Sequence, residues 1–136
     1  MKAVKRFRIA CSLFAVFVGA IIYAADAGIG QRYFDIVRSF PMGDKISHFL
    51  LMGTLAGLAN LSIGCRTLGG SRIRPGLGTV IVTILVVAEE ISQIWIPGRS
   101  FDLLDLTADF LGIACGELAA RWFWFPRAKR SEISGL

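Results

Sequence analysis

The sequence predicts an all-α, polytopic membrane protein in which four transmembrane helices form one bundle. Of its 136 residues 54% are hydrophobic and only 18% are charged, which is more apolar surface than a water-soluble domain of this size buries. The apolar residues form four long segments, each within or near the roughly 17–25 residues that cross a bilayer as a helix. The segments are residues 9–25, 46–64, 78–96 and 103–125. We therefore expect a single transmembrane domain over residues 1–136.

The first segment has two interpretations. Residues 1–8 are basic, and the apolar run that follows ends near Ala25 and Ala27, as in a cleaved secretory signal peptide. The run is longer than the ~7–15 residues usual in signal peptides. This length favours a first spanning helix that is retained.

A short amphipathic helix is predicted between the first two segments, in "QRYFDIVRSF" at residues 31–40. Tyr33, Ile36, Val37 and Phe40 follow the i, i+3, i+4, i+7 pattern and share one face. Such a helix lies in the outer membrane surface with its apolar face toward the lipid. A surface connector is favoured over a lid on a substrate site.

The cations predict the orientation of the bundle. Eleven of the 15 Lys and Arg residues precede the first segment, lie between the second and third, or follow from the end of the fourth. Loops rich in Lys and Arg remain cytoplasmic, so both termini are expected there. The same distribution, with attraction to anionic lipid heads, explains the net charge of +5. Nucleic acid is not required as a partner.

The third and fourth segments are expected to form an antiparallel hairpin. Residues 96–99 read "IPGR", in which Pro97 suits the first central position of a tight turn and Gly98 the second, where φ is positive. Asp102 is predicted to cap the fourth span and Asp44 the second, because a carboxylate there accepts unpaired backbone N–H groups.

Polar residues at three predicted helix ends on the outer side form the candidate functional site. Within each helix they are spaced three or four residues apart and therefore share one face. The Gly-x-x-x-Gly pairs Gly53/Gly57 and Gly112/Gly116 predict close helix packing, and the second pair continues the face of Asp105 and Asp109. The candidate pocket residues are Asp44, Lys45, His48, Glu90, Gln93, Arg99, Asp105 and Asp109, with Glu89 beside them.

The candidate cluster holds more acids than bases. Once the two caps are set aside, four carboxylates face two certain cations, Lys45 and Arg99. An ionised group near the bilayer centre costs roughly 2.5–3.5 kcal/mol, and less near the interface. Either some acids are protonated, or water enters, or a cationic ligand completes the site.

Three interpretations of the cluster remain open from the residues alone. It is a hydrated, outer-facing pocket, an internal ion-pair network that fixes helix docking, or a metal site built on His48. The third is disfavoured, because one imidazole with carboxylates matches no short metal motif and the three cysteines have no ligand spacing. No cofactor is expected. No nucleophile-and-base pattern is evident, so the catalytic residues, if there are any, are unknown.

The motifs resemble those of the VanZ-like family of small bacterial membrane proteins, which is named for an accessory of glycopeptide resistance that lowers susceptibility to teicoplanin. The resemblance covers "DKISHF" at 44–49, "EISQIWIPGRSFDLLDL" at 90–106 and "ADFLGIACG" at 108–116. The family pattern carries Asn at the position of Asp109, so a hydrogen-bonding role for Asp109 rests on this chain alone. The resemblance implies a bacterial cytoplasmic (inner) membrane protein of the cell envelope, and it implies no settled activity.

Four functions are compatible with these observations. The leading hypothesis is a pocket that binds a lipid-linked or headgroup ligand. The second is a membrane-embedded hydrolase or transferase in which Glu90 or Asp105 acts as general base and Arg99 holds an anion. A proton or cation carrier would require an oligomer, whose existence the sequence does not address. The fourth is a structural scaffold held by ion pairs.

Overall fold

The structure, a computed structural model, describes residues 2–71 and 73–134, and side chains within 3–71 and 73–125. Arg72, which contributes to the predicted orientation, lies outside the described residues, as do the side chains of Lys2, Arg127, Lys129 and Arg130. The all-α prediction is confirmed. The helices are α1 (Lys2–Asp26), α2 (Gln31–Ser39), α3 (Gly43–Ser62), α4 (Leu77–Ser92) and α5 (Leu103–Ser134).

Each predicted apolar segment lies in one helix, and the helix bounds differ at the ends. α3 and α4 end earlier than predicted, and a short 3-10 turn, Gln93–Trp95, continues α4. α5 extends past the predicted end at residue 125 and reaches Ser134. The apolar segments therefore predicted the positions of the helices. They underestimated the length of α5, because the polar residues after residue 125 are also helical.

The hairpin between α4 and α5 has the predicted turn. Gly98 has φ of 83°, and the Arg99 N–H donates to the Ile96 carbonyl at 3.1 Å. The predicted cap on α5 is also present, since the Leu104 N–H donates to the Asp102 carboxylate at 2.8 Å. These two local features direct α5 back along α4.

The predicted cap on α3 is wrong. The cap position is Met42, in the left-handed conformation with φ of 59°, and no side chain caps the helix. The preceding turn, in which the Gly43 N–H donates to the Phe40 carbonyl at 3.0 Å, starts the helix earlier than expected. Asp44 consequently lies inside the first turn, where a negative charge interacts favourably with the positive end of the helix dipole.

α3 is the central helix and contacts each of the other four. The close packing predicted at the glycine pairs is present, and Gly53 and Gly57 lie against Gly112 and Gly116 of α5. A methyl group added at Gly53 would come 2.8 Å from the Gly112 carbonyl oxygen, closer than side-chain carbons approach. The glycine pairs therefore bring the two backbones together and align the polar ends of α3 and α5.

α1 packs on α3 and is integrated in the bundle. Val18 is buried in the core beside Met52 and Leu55 of α3, and Arg8 Nε donates to the Ser62 carbonyl at 3.1 Å. These contacts attach α1 to the middle and to the end of α3.

The outer faces of the bundle are apolar. On α1, for example, Leu13 is 68% and Val16 72% exposed. Within the described residues two helices, Ala3–Asp26 and Leu77–Trp95, are long and apolar enough to cross a membrane, and only 6% of the first is buried. α3 and α5 carry more polar residues along their length, and those at the start of each helix meet at the site described next.

α2 is amphipathic, and none of its residues is buried. Tyr33, Ile36, Val37 and Phe40 lie on the predicted face and are exposed, Tyr33 by 75%. An unburied apolar face on a nine-residue helix is the arrangement expected at a membrane surface.

Candidate functional site

The structure brings the polar residues singled out in the sequence to one end of the bundle. This end consists of the end of α1, all of α2, the start of α3, the end of α4 with its turn, and the start of α5. We call this group the polar cluster. Its members are Asp26, Asp44, Lys45, His48, Glu89, Glu90, Gln93, Arg99, Asp102, Asp105 and Asp109.

Lys45 joins α3 to α5. Its Nζ lies 2.6 Å from Asp105 Oδ1 and 2.7 Å from Asp102 Oδ2, whereas Asp44 is more distant at 3.6 Å. The Lys45 ammonium, which donates to the Asp102 carboxylate, holds the pKa of Asp102 below its usual value, and the Leu104 N–H acts in the same direction. Lys45 therefore neutralises two acids at the start of α5 and leaves Asp44 weakly paired.

His48 is oriented by the acids of α5. Its Nδ1 lies 3.1 and 3.2 Å from the two oxygens of Asp109, a carboxylate that is only 1% exposed. Its Nε2 lies 3.9 Å from Asp105 Oδ2. A carboxylate at one ring nitrogen fixes the ring and leaves the other nitrogen for a different partner. Asp109 thus contacts the imidazole directly.

Glu90 is a buried anchor for the start of α5. It is 1% exposed, and its carboxylate accepts the Asp102 N–H at 2.7 Å and the Gln93 side-chain N–H at 3.3 Å. The Gln93 amide also donates to Glu89 Oε1 at 2.8 Å. Glu90 accordingly satisfies a backbone donor at a helix start and holds the hairpin closed.

Arg99 connects the hairpin turn to α1 and α4. Its Nε lies 3.5 Å from Asp26 Oδ1, and its Nη2 lies 3.5 Å from Glu89 Oε1. Both distances are at the outer limit of a hydrogen bond. Within the described part of the chain, Arg99 Nε has no hydrogen-bond partner. The Arg99 guanidinium therefore makes only long contacts to Asp26 and Glu89, and its N–H groups can donate to a further acceptor.

Two adjoining cavities open at this end. One, of about 330 Å³, lies between α1, α2 and α3 and is mainly apolar, with Val18, Ile22, Phe34, Leu51 and Met52 in its wall. The other, of about 300 Å³, is mainly polar and includes Gln93, Asp102 and Asp105. The residues that line both cavities are Arg38, Asp44, His48 and Arg99.

The eight residues predicted from the sequence differ in their access to these cavities. Asp44, His48, Gln93, Arg99 and Asp105 line one or both. Lys45, Glu90 and Asp109 are not among the lining residues and act on their neighbours through the contacts above. Lys45, Glu90 and Asp109 thus lie behind the residues that line the cavities and hold them in place.

Sequence reasoning missed two members of this region. Asp26 is the last residue of α1 and joins the cluster through Arg99. Arg38 is in the last turn of α2 and faces both cavities. The separation of Arg38 from the apolar positions of α2 was visible in the sequence, but its direction toward α3 depends on the two turns that flank α2.

The arrangement offers a mixture of cationic and anionic groups at a cavity boundary. No group of three or more His, Cys, Asp or Glu residues arranged to hold a metal ion occurs among the side chains that the structure describes. The metal interpretation of His48 therefore has no geometric support. The side chains of the polar cluster offer hydrogen bonding, ion pairing and proton transfer.

The fold and site together define a small all-α membrane protein with a charged cavity at one end of the bundle. The sequence profile of the VanZ/LLP1 family matches residues 3–124, and the chain belongs to this family. The match covers α1 to α4 and most of α5, including every residue of the polar cluster. No match was found among curated proteins or among solved structures.

Proposed function

We propose that this VanZ-like protein crosses the bacterial cytoplasmic membrane four times, with both termini inside, and that its polar cluster faces outward and binds a lipid-linked or headgroup ligand of the cell envelope. The observation that carries the proposal is the pair of adjoining cavities, one apolar and one polar, that share charged residues. An amphiphile requires both environments at one site.

Helix lengths support the four-span topology. α3, with 20 residues, is about 30 Å long at ~1.5 Å per residue, which matches the bilayer core. Its charged residues and its histidine, Asp44, Lys45 and His48, contact acids of α5 or line the cavities. Exposed aromatic residues lie at both ends of the bundle, with Tyr23 and Trp95 on the cavity side and Trp122 opposite.

Thiol labelling of intact cells tests the topology. In a variant whose three native cysteines are replaced, Ser100→Cys on the cavity side should react with a membrane-impermeant maleimide. Ile73→Cys, which is 96% exposed at the opposite end, should react only after the cells are permeabilised. The reverse pattern would overturn the proposed orientation.

Cellular substitutions test the site. Lys45, His48, Glu90, Arg99 and Asp105 are replaced singly, and membrane accumulation is scored separately from sensitivity to teicoplanin and to envelope stress. We expect Arg99→Gln and Asp105→Asn to change sensitivity while the protein still accumulates. If all five variants accumulate and behave as the wild type, the binding proposal is abandoned.

A membrane-embedded hydrolase or transferase is the second candidate. The observation in its favour is that Asp105, His48 and Arg99 line the same polar cavity. Glu90 is the weaker general base, since its oxygens already accept hydrogen bonds from Asp102 and Gln93. Proteoliposomes with headgroup-labelled phospholipid should then release label, and Asp105→Asn should stop the release. No release by the wild type removes this candidate for those lipids.

A further inference from the structure

Positively and negatively charged side chains lie together at the boundary between the two cavities. Their combination suggests the chemical class of the ligand. Arg38, Asp44, His48 and Arg99 line the apolar and the polar cavity alike. A group held at this boundary contacts guanidinium and carboxylate at once. The apolar cavity beside it, of about 330 Å³, is within the range of ~300–1,000 Å³ usual for ligand sites.

The two arginines have capacity for an anion. Arg99 is held only by two contacts of 3.5 Å, to Asp26 and Glu89. Arg38 is exposed, and no ion pair involving it occurs among the described side chains. A planar guanidinium binds phosphate oxygens through two parallel N–H donors, and two guanidiniums at one boundary suit a phosphodiester.

The nearby acids disfavour a ligand that is only anionic. Asp44, Asp102 and Asp105 all line the polar cavity, and Lys45 is shared among them. Lys45 lies about an ångström closer to Asp102 and Asp105 than to Asp44, as the distances of 2.7, 2.6 and 3.6 Å show. Asp44 is consequently the carboxylate at the boundary that is best placed to accept an additional cation.

We propose, on the basis of the binding function above, that the ligand is a zwitterionic aminophospholipid. Arg38 and Arg99 hold its phosphodiester, Asp44 accepts its primary ammonium group, and one acyl chain enters the apolar cavity between α1 and α3. α2 forms the wall of this cavity toward the membrane surface through Phe34 and Val37.

Lipid binding to the purified full-length protein tests this assignment. The protein is exchanged against vesicles of equal phosphatidylethanolamine and phosphatidylglycerol, and bound lipid is quantified by native mass spectrometry. We expect phosphatidylethanolamine to exceed phosphatidylglycerol by about tenfold, the factor that one well-formed ion pair supplies. Phosphatidylcholine, whose ammonium group donates no hydrogen bond, should bind more weakly than phosphatidylethanolamine.

Matched variants separate the two charges. Asp44→Asn should abolish the preference for phosphatidylethanolamine, while Asp35→Asn on α2, which lines neither cavity, should keep it. Arg38→Gln should reduce binding of both lipids, and Arg32→Gln on the same helix should not. Thermal unfolding establishes that each variant is folded, and Asp44→Glu, which keeps the charge, should keep the preference if Asp44→Asn is unstable.

The outcomes distinguish this inference from the function on which it rests. Equal binding of the two lipids, with both reduced in Arg38→Gln, overturns the aminophospholipid assignment and leaves a phospholipid site. Lipid binding that no cavity variant changes overturns both. Free phosphoethanolamine should compete poorly because it lacks the acyl chain, and efficient competition would overturn the assignment of the apolar cavity to the ligand.

Discussion

The two ends of the bundle use buried charge differently. At the end opposite the polar cluster, Glu117 of α5 accepts the Gly76 N–H at 2.8 Å and pairs with Arg121. Arg121 also donates to the Arg74 carbonyl at 2.5 Å. Here one acid is matched by one base and by backbone groups. A cavity of about 390 Å³ also opens at this end, beside Arg66, Thr67 and Leu77. We call this the Glu117 end.

The end that contains the polar cluster has a surplus of acids. Seven carboxylates are gathered around Lys45, Arg99 and the His48 imidazole. Some of these groups, such as Glu90, are fully engaged, and others, such as Asp44, line open space. The comparison teaches that buried charge alone does not indicate function, because matched charge stabilises the fold. The proposed ligand site rests instead on acids in excess of the bases beside the two cavities.

The largest expected effect on stability comes from substituting one of two adjacent acids on α4, Glu89 and Glu90. Glu90→Ala should lower the free energy of unfolding by about 2–4 kcal/mol, because the Asp102 N–H loses its acceptor and a cavity remains in the core. Glu89→Ala, at a residue that lines the apolar cavity, should cost less than about 1 kcal/mol. Denaturant unfolding in detergent measures both. Similar losses would show that the polar cluster is structural throughout.

At the Glu117 end, we expect a substitution to change stability and leave the cellular phenotype unchanged. Glu117→Gln should reduce the free energy of unfolding by about 1–3 kcal/mol, since the amide keeps the shape and loses the charge that Arg121 needs. Sensitivity of cells to teicoplanin should match that of the wild type when expression is adjusted to equal membrane accumulation. A change in sensitivity at equal accumulation would contradict the division between the two ends.

The smallest expected effect is the pH dependence of the stability that the Asp102 carboxylate contributes. Its pKa is lowered in the folded protein by Lys45, so the charged form contributes stability at neutral pH. This contribution is lost as the pH falls through the folded-state pKa, below the usual ~3.9 of aspartate. Asp102→Asn should therefore unfold at a lower temperature than the wild type at pH 7, and the difference should shrink below pH 4. A difference that is constant with pH would exclude the charge as its cause.

The sequence predicted the parts of this protein that depend on local pattern. Apolar segments located the long helices, the Pro97–Gly98 pair gave the turn, and Asp102 gave the cap on α5. Spacing along each helix grouped the polar residues on common faces. The glycine pairs at Gly53 and Gly112 indicated close helix packing, and the structure shows that they pack against each other.

Partners from distant segments could not be predicted in the same way. The carboxylate of Glu90 accepts a backbone N–H twelve residues away, a role that no side-chain pattern specifies. Asp26 is separated from Arg99 along the chain by α2, α3 and α4, and their pairing depends on how α1 packs. The error at Asp44 arose because the chain enters α3 through Met42 in a left-handed conformation, which the sequence does not favour.

Phospholipid binding by one variant from each end tests the central claim most directly. Native mass spectrometry compares the fraction of lipid-bound protein for the wild type, Arg99→Gln and Glu117→Gln, with all three shown to be folded. We predict that Arg99→Gln reduces bound phospholipid by about tenfold and that Glu117→Gln leaves it unchanged. Equal lipid binding in all three proteins would contradict the claim that the end of the bundle with the polar cluster is a ligand site.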